Sequence, residues 1–468
     1  MNRRTFLSAA AASGAISLGR PTFAASNLLR RRNVNEEPGV GYIGTGIRYH
    51  SALSKGGMNF GPSVALADVD MIQLGRAVQV AYDNHRKNNR PINVAGHEDY
   101  RHVLDNKDVD IVFIGSPDHW HTQQAIDAMR AGKDVYCEKP LTLTIHEGQQ
   151  IEQVMQETNR VFQVGTQQRT EFGKRFAKAV AIVRSNRLGK LKKVTAAIGG
   201  SRACDPMPEV DVPKNLNWDL WQGQAMVQKY RSASEVVDVK GWGAGHPFAR
   251  THRYYRWFYE YSGGKLTDWG AHHLDIALLG MNKLTEDIGP IQIEVENTEH
   301  PVEFDAKGMP LSDDRFNCAT KFKVKLTFND GDILYVQDSA KEGLGFENGI
   351  MFEGEKGRIL VNRGKLVGKA VEELETNPLD GDWYFQLFGQ SAPKSHFDNF
   401  IDCVRDRDTP ISDVKSHNLM LNICHAINIA MRLNRNLTYD PAARNFGSDE
   451  DANKMVRREQ RKGFEISV

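Results

Sequence analysis

Between residues 40 and 137, short apolar runs alternate with longer stretches of mixed polarity, which is the pattern of strands separated by helices. Val40–Ile43 is an apolar run that stops at Gly44, and Tyr49–Leu53 opens a helical stretch. Residues 64–67 form a second run ending at Asp68, residues 110–115 a third, and Asp134–Cys137 a fourth, with a helix over 121–131 stopped by Gly132. This repetition predicts a parallel, doubly wound sheet, and such sheets bind ligands beyond the carboxyl ends of their strands. The loops 116–121 and 138–140 therefore fall on the ligand side.

After Lys139 the pattern changes. Residues 321–328 alternate strictly, with Phe322, Val324, Leu326 and Phe328 on one face and Lys321, Lys323, Lys325 and Thr327 on the other. That is a strand with one buried face. Asn329-Asp330-Gly331 turns into a run at 333–336, and residues 349–352 pair with 358–361 through Glu355-Lys356-Gly357. Residues 396–404 and 416–433 predict later helices, and 436–468 a polar tail. The chain is thus α/β, with a dinucleotide-binding domain over 37–160 and a second domain over 161–435.

Composition narrows the partners. The 468 residues carry 60 Lys and Arg against 59 Asp and Glu, a net charge of +1, which excludes a polybasic nucleic-acid binder. No run approaches the ~20 apolar residues of a membrane span. Five widely spaced cysteines without a CxxC pair suggest neither a zinc site nor a disulfide framework. The expected partner is a small molecule. Residues 1–25 hold Arg3 and Arg4, then Phe6, Leu7, a weakly apolar stretch and small residues around Ala24, with no acid before Glu36. This resembles a twin-arginine signal, so export to the periplasm is expected, with 26–36 as a linker. Removing the signal leaves 57 basic against 59 acidic side chains, a charge of −2.

The turn after the first strand carries candidate chemistry. Gly44 permits a tight turn, and Gly46 lets the backbone approach a pyrophosphate held by N–H groups at the helix start. The third glycine of the dinucleotide fingerprint is replaced by Tyr49, so the helix must pack differently there. Asp68 ends the second strand, where an acid accepts hydrogen bonds from an adenosine ribose and repels a ribose phosphate, favouring NAD over NADP.

The segments GYIGTGIR, Asp68, SPDHWH (116–121), CEKPLT (137–142), VGTQQR (164–169) and GGKLTDWGAHHLD (263–275) together resemble the Gfo/Idh/MocA oxidoreductase family over roughly residues 37–435, and in particular exported members related to glucose-fructose oxidoreductase. The resemblance implies an N-terminal Rossmann domain and a C-terminal α/β domain with a large, mainly antiparallel sheet. It also implies a carbohydrate substrate and a homo-oligomer, dimer or tetramer, formed through the open sheet. Cofactor contacts are expected from Gly44, Thr45, Gly46, Ile47, Arg48, Asp68, Ser116, Pro117, His121, Glu138 and Lys139.

If residues 268–275 form a helix, Asp268, His272 and Asp275 share a face. Removing hydride from a carbinol carbon requires the hydroxyl proton to leave as well, which suits His272, while the Lys139 ammonium would stabilise the developing alkoxide. Asp268 would orient or charge-stabilise this group. The family's Lys, Asp and His match Lys139, Asp268 and His272, whereas His273 reads as structural. The adjacent pair lacks the spacing of a metal site, and none is expected. Six of the eight residues 254–261 are aromatic, as core or as platforms for a sugar ring, Trp257 among them. Arg169 is either a substrate ligand or half of an ion pair. Since free NAD is not expected outside the cytoplasm, export further suggests a tightly held cofactor. The reaction is then net oxidation of a sugar, polyol or glycoside hydroxyl, or a redox-neutral glycoside lyase or hydrolase reaction through a transient keto sugar.

Overall fold

A computed structural model describes residues 37–91, 93–235 and 246–468. The expected signal and linker, residues 1–36, lie outside the described residues. Six strands form one parallel sheet in the order β3-β2-β1-β4-β5-β6: β1 Val40–Ile43, β2 Ser63–Ala67, β3 Ala95–His97, β4 Ile111–Ile114, β5 Asp134–Cys137 and β6 Phe162–Val164. Every residue of β1, β4 and β5 is buried, because helices cover both faces. Strand order reverses between β1 and β4, and the crevice at that switch point is where such sheets take ligands.

The glycine turn is built as its sequence requires. Gly44 has φ +79°, and a Cβ there would stand 2.4 Å from the Ser116 backbone nitrogen, whereas a Cβ on Gly46 would meet nothing within 4 Å. The first glycine lets two loops touch; the second leaves room for a ligand. Tyr49, in place of the third glycine, begins a widened, π-helical turn over Tyr49–Leu53. Its buried ring stands edge-on to Tyr42 and its hydroxyl donates to the Ala77 carbonyl at 3.2 Å. A wider first turn makes room for a side chain where a glycine would pack closely.

Eight further strands make the second sheet, in the order β13-β12-β11-β7-β10-β9-β8-β14. They are β7 Leu191–Ala197, β8 Ile291–Glu299, β9 Lys321–Thr327, β10 Ile333–Gln337, β11 Gly349–Gly354, β12 Gly357–Val361, β13 Leu366–Val367 and β14 Leu437–Tyr439. Only β7 and β10 run parallel; the other neighbours are antiparallel. Alternation on β9 holds: Phe322, Val324 and Leu326 are buried, while Lys321, Lys323 and Lys325 pair across the strand with Glu299, Glu296 and Glu294 on β8. The sheet's buried face packs on helix Gly270–Gly280 at β7 and β11 and on helix Val414–Leu433, capped by Asp413, at β8, and the two helices pack on each other.

The segment 436–468, expected as a polar tail, is instead part of the body. β14 extends the second sheet along β8, Ile466 joins the main core, and the half-buried Arg458 donates to the Tyr259 carbonyl. A few spaced apolar residues in a polar stretch suffice for this when the groove they fill is supplied by distant elements. No helix among the described residues is long and apolar enough to cross a membrane.

Candidate active site

A cavity of about 800 Å³ lies beyond the carboxyl ends of β1, β2, β4 and β5, roofed by residues of the second domain. Gly44, Gly46, Ile47, Arg48, Asp68, Ser116 and Pro117 line one end. Thr45 does not; its backbone N–H and hydroxyl donate to Asp68 Oδ2 at 2.7 and 3.1 Å, and the Asp70 N–H donates to Oδ1 at 2.9 Å. Thr45 therefore aims the acid rather than meeting a ligand. Burial raises the Asp68 carboxyl above its ordinary range, with these N–H bonds opposing it.

Sequence reasoning missed Asp70, the second acid here. It caps helix Met71–Lys87 through the Ile72 N–H, contacts His252 Nε2 at 2.9 Å and accepts from Asn215 Nδ2 at 2.8 Å. These partners belong to the second domain, whose segment around 215–221 crosses the mouth of the nucleotide end. Met71 N–H donates to Asn215 O and Asn217 N–H to Val69 O, both at 2.9 Å, while Trp120 Nε1 donates to Leu220 O and Trp221 O. A dinucleotide fits this end: open space at Gly46, an acid at the end of β2 and a strap across the mouth are the features it requires.

His121 ties two loops together, its ring nitrogens lying 2.7 and 2.9 Å from Pro140 O and Ser116 O. Residues 118–121, expected as loop, belong to helix Asp118–Arg130, which starts directly after Pro117. Glu138 pairs with Arg48 at 2.7 Å. Lys139, joined to Pro140 by a cis peptide, places Nζ 2.5 Å from Asp268 Oδ1 and 2.9 Å from Asp268 O. Burial would raise the Asp268 carboxyl, but Lys139, Arg256 and Lys265 outweigh it and hold the group well below the carboxylate range. His272 faces the same cavity. Burial, reinforced by Lys139 and Arg363, keeps its imidazole neutral, and no hydrogen bond engages its ring nitrogens among the described residues.

Two expected contacts are corrected by the structure. The helix breaks at Trp269, so Asp268 ends Gly264–Asp268 and His272 sits in Gly270–Gly280. Asp275 lies further along Gly270–Gly280 and is fully buried against Arg169. Arg169 Nη2 and Nε meet its carboxylate at 2.5 and 2.9 Å, and Arg169 also donates to Ile411 O and Ser416 Oγ. Arg169 thus braces helix Gly270–Gly280 instead of touching substrate. Asp275→Asn leaves the buried guanidinium only the more distant Asp413 carboxylate, 3.8 Å away, and is expected to cost about 3 kcal/mol of stability, read from urea unfolding, since breaking one side of a buried pair largely strands the other. A loss under about 1 kcal/mol would show that the remaining acceptors suffice.

Of the six aromatics at 254–261, only Tyr255 and Trp257 line the cavity; the others are core. His273 is structural, 2.9 Å from Asn348 Oδ1. Trp269, Lys265, Arg256 and Arg363 also line the cavity. Arg363 follows β12 with no local motif, so only pairing of the second sheet brings it here.

Residues 39–166 match the oxidoreductase family with an NAD-binding Rossmann fold, and residues 202–466 match that family's C-terminal alpha/beta domain. A glycosyl hydrolase family 109 protein of a Shewanella species is 33% identical over 123 residues, 26% of each chain. An alpha-N-acetylgalactosaminidase of Shewanella oneidensis is 31% identical over 160 residues, 34% of each chain. The alignments thus span about a quarter to a third of these curated relatives. The WlbA dehydrogenase of Bordetella pertussis, solved with NADH and UDP-GlcNAcA, shares the fold at TM-score 0.55 and 16% identity over 86% of this chain and 98% of that one. With both domains matched and the nucleotide end built as described, the chain belongs to the Gfo/Idh/MocA oxidoreductase family, with its NAD-binding Rossmann fold.

Proposed function

We propose that this enzyme oxidises a hydroxyl of a sugar, polyol or glycoside, using tightly held NAD. The observation that carries the reading is the pairing, in one cavity, of an ammonium fixed by a carboxylate (Lys139 on Asp268) with an imidazole held neutral (His272). Gly44, Gly46, Ile47 and Arg48 would hold the pyrophosphate side and Asp68 the ribose, and the nicotinamide supplies an acceptor for the carbinol hydride. His272 takes the hydroxyl proton, for which its neutral ring is ready. Lys139 directs its ammonium at the alkoxide, and Asp268 fixes the lysine so that this charge needs no reorganisation as the reaction proceeds. Trp257 offers a ring face to a sugar.

Asp68 and Asp70 stand together at the nucleotide end and disfavour a ribose phosphate, which supports NAD over NADP. The strap bonds to Val69, Met71 and Trp120 support slow cofactor release. The twin-arginine leader supports export of the folded, loaded protein to the periplasm. The charged face of the second sheet is the surface through which a dimer or tetramer would form, and sedimentation would measure it.

The test is native mass spectrometry of protein recovered from the export compartment, followed by a sugar panel monitored by nicotinamide absorbance. Stoichiometric NAD and reduction by one sugar class are expected; cofactor-free protein with only millimolar affinity defeats the tight-binding proposal. The resemblance to a glycosidase favours a second reading, transient oxidation with net glycoside cleavage. Product analysis separates them: a stable keto sugar marks net oxidation, and a released aglycone without net cofactor change marks cleavage.

A further inference from the structure

Charge is unevenly shared along the cavity. At the reacting end the acids are already engaged: Glu138 by Arg48, Asp268 by Lys139, and Asp118 by the Tyr255 and Ser262 hydroxyls. Of the cations there, Arg256 also lacks an ion pair among the described residues but lies over the Tyr255 ring at 4.8 Å and donates to the Arg253 carbonyl, which leaves Lys265 and Arg363. Lys265 Nζ lies 5.6 Å from the Trp257 ring centre and 5.8 Å from that of Trp269, and the Arg363 guanidinium lies 4.6 Å from Trp269. Neither has a carboxylate within ion-pair distance among the described residues. They arrive from different parts of the chain, Lys265 on helix Gly264–Asp268 and Arg363 just beyond β12, yet converge on the indole adjoining Asp268.

Bringing two like charges to one half-buried ring, beside a third on Lys139, is unfavourable in the empty protein. Indole faces offset part of this. Burial draws both Lys265 and Arg363 below their ordinary ranges, with Asp268 opposing the effect in each case. A ligand anion would supply the missing countercharge, and a planar guanidinium beside an ammonium suits an oxyanion.

Building on the sugar-oxidising reading above, we infer that the substrate carries an anionic group, the carboxylate of a sugar acid or a sulfate or phosphate ester, held between Lys265 and Arg363. The same pair would discriminate against neutral sugars, which leave both cations desolvated and uncompensated.

The test uses the full chain loaded with NAD and follows tryptophan fluorescence and calorimetry with glucose, glucuronate, glucose 6-sulfate and glucose 6-phosphate, and with the matching galactose series. At least one anionic sugar should bind ten-fold or more tightly than its neutral parent at low salt, with the gap narrowing as salt rises; the arms identify which anion. A Lys265→Gln, Arg363→Gln double variant should lose the preference while its NAD affinity stays within about two-fold. Neutral sugars binding as tightly, no anionic sugar binding, a preference that survives the double variant, or a loss of NAD affinity in its place would each overturn the inference. Failure of the underlying reading looks different: the wild-type protein would not bind NAD, or no sugar would reduce it.

Discussion

Lys139→Met lowers kcat/KM toward the best sugar by about 10³-fold, the scale on which removal of one preorganised stabilising donor acts. Two effects compound. The alkoxide loses its ammonium, and Asp268, which now holds Nζ through both its carboxylate and its backbone carbonyl, has nothing to orient. A second readout separates this from general damage. The Lys139 charge is, after burial, the largest influence depressing His272, so its removal lets the imidazole protonate more readily. The acid limb of the kcat/KM profile therefore moves to higher pH, and the His272 ring resonances in ¹H–¹⁵N spectra titrate at higher pH. Loss of rate without any movement of that limb would place Lys139 outside the reacting group. Arginine should not restore activity, because a planar fork cannot occupy the point-charge position of the ammonium against Asp268.

Stability falls steeply as the solution is acidified below pH ~6.5. His119, His396, His417 and His425 are buried and held down to about 3, and His273 to about 4, in each case chiefly by burial. In the unfolded chain a histidine titrates near ~6.5. The unfolded state thus binds more protons between these values, and each ring withdraws about 1.4 kcal/mol per pH unit through that window, present in full above it. Five rings together amount to about 7 kcal/mol per unit. Glu147 works in the opposite sense: burial raises it to about 7, so its protonation on acidification returns the equivalent of one histidine above its unfolded value near ~4.3. The net slope still exhausts the usual margin of 5–15 kcal/mol within about one to three pH units. Urea unfolding midpoints measured from pH 7.5 to 4.5 should hold steady above pH 7 and then collapse by about pH 5. A flat profile through that range would mean that the rings gain protons without unfolding.

The sequence was most informative where a local rule suffices. Unbroken apolar runs in β1, β4 and β5 mark strands buried on both faces, and strict alternation in β9 marks one buried face, because side-chain direction follows directly from backbone period. Gly44 and Gly46 were readable because a tight turn and an open approach each need a residue without Cβ. Lys139, Asp268 and His272 were legible because the segments that carry them are recognisable one by one, and the structure places all three on one cavity.

Other features depended on which distant segments meet. The spacing that put Asp275 on the same face as His272 was sound as helical geometry, but its depth decided its role, and at that depth Arg169 was the partner. Asp70 acquires its place from Asn215 and His252, and residues 436–468 acquire theirs from a groove made elsewhere. Lys265 and Arg363 lie about a hundred positions apart in the chain, and nothing local to either marks it as a ligand. The sequence by itself determined the two kinds of sheet, the glycine turn and the Lys-Asp-His group, since each follows from short-range period or chemistry. Only the tertiary structure decided which charges are compensated, because compensation depends on distances between groups that the chain brings together solely by folding.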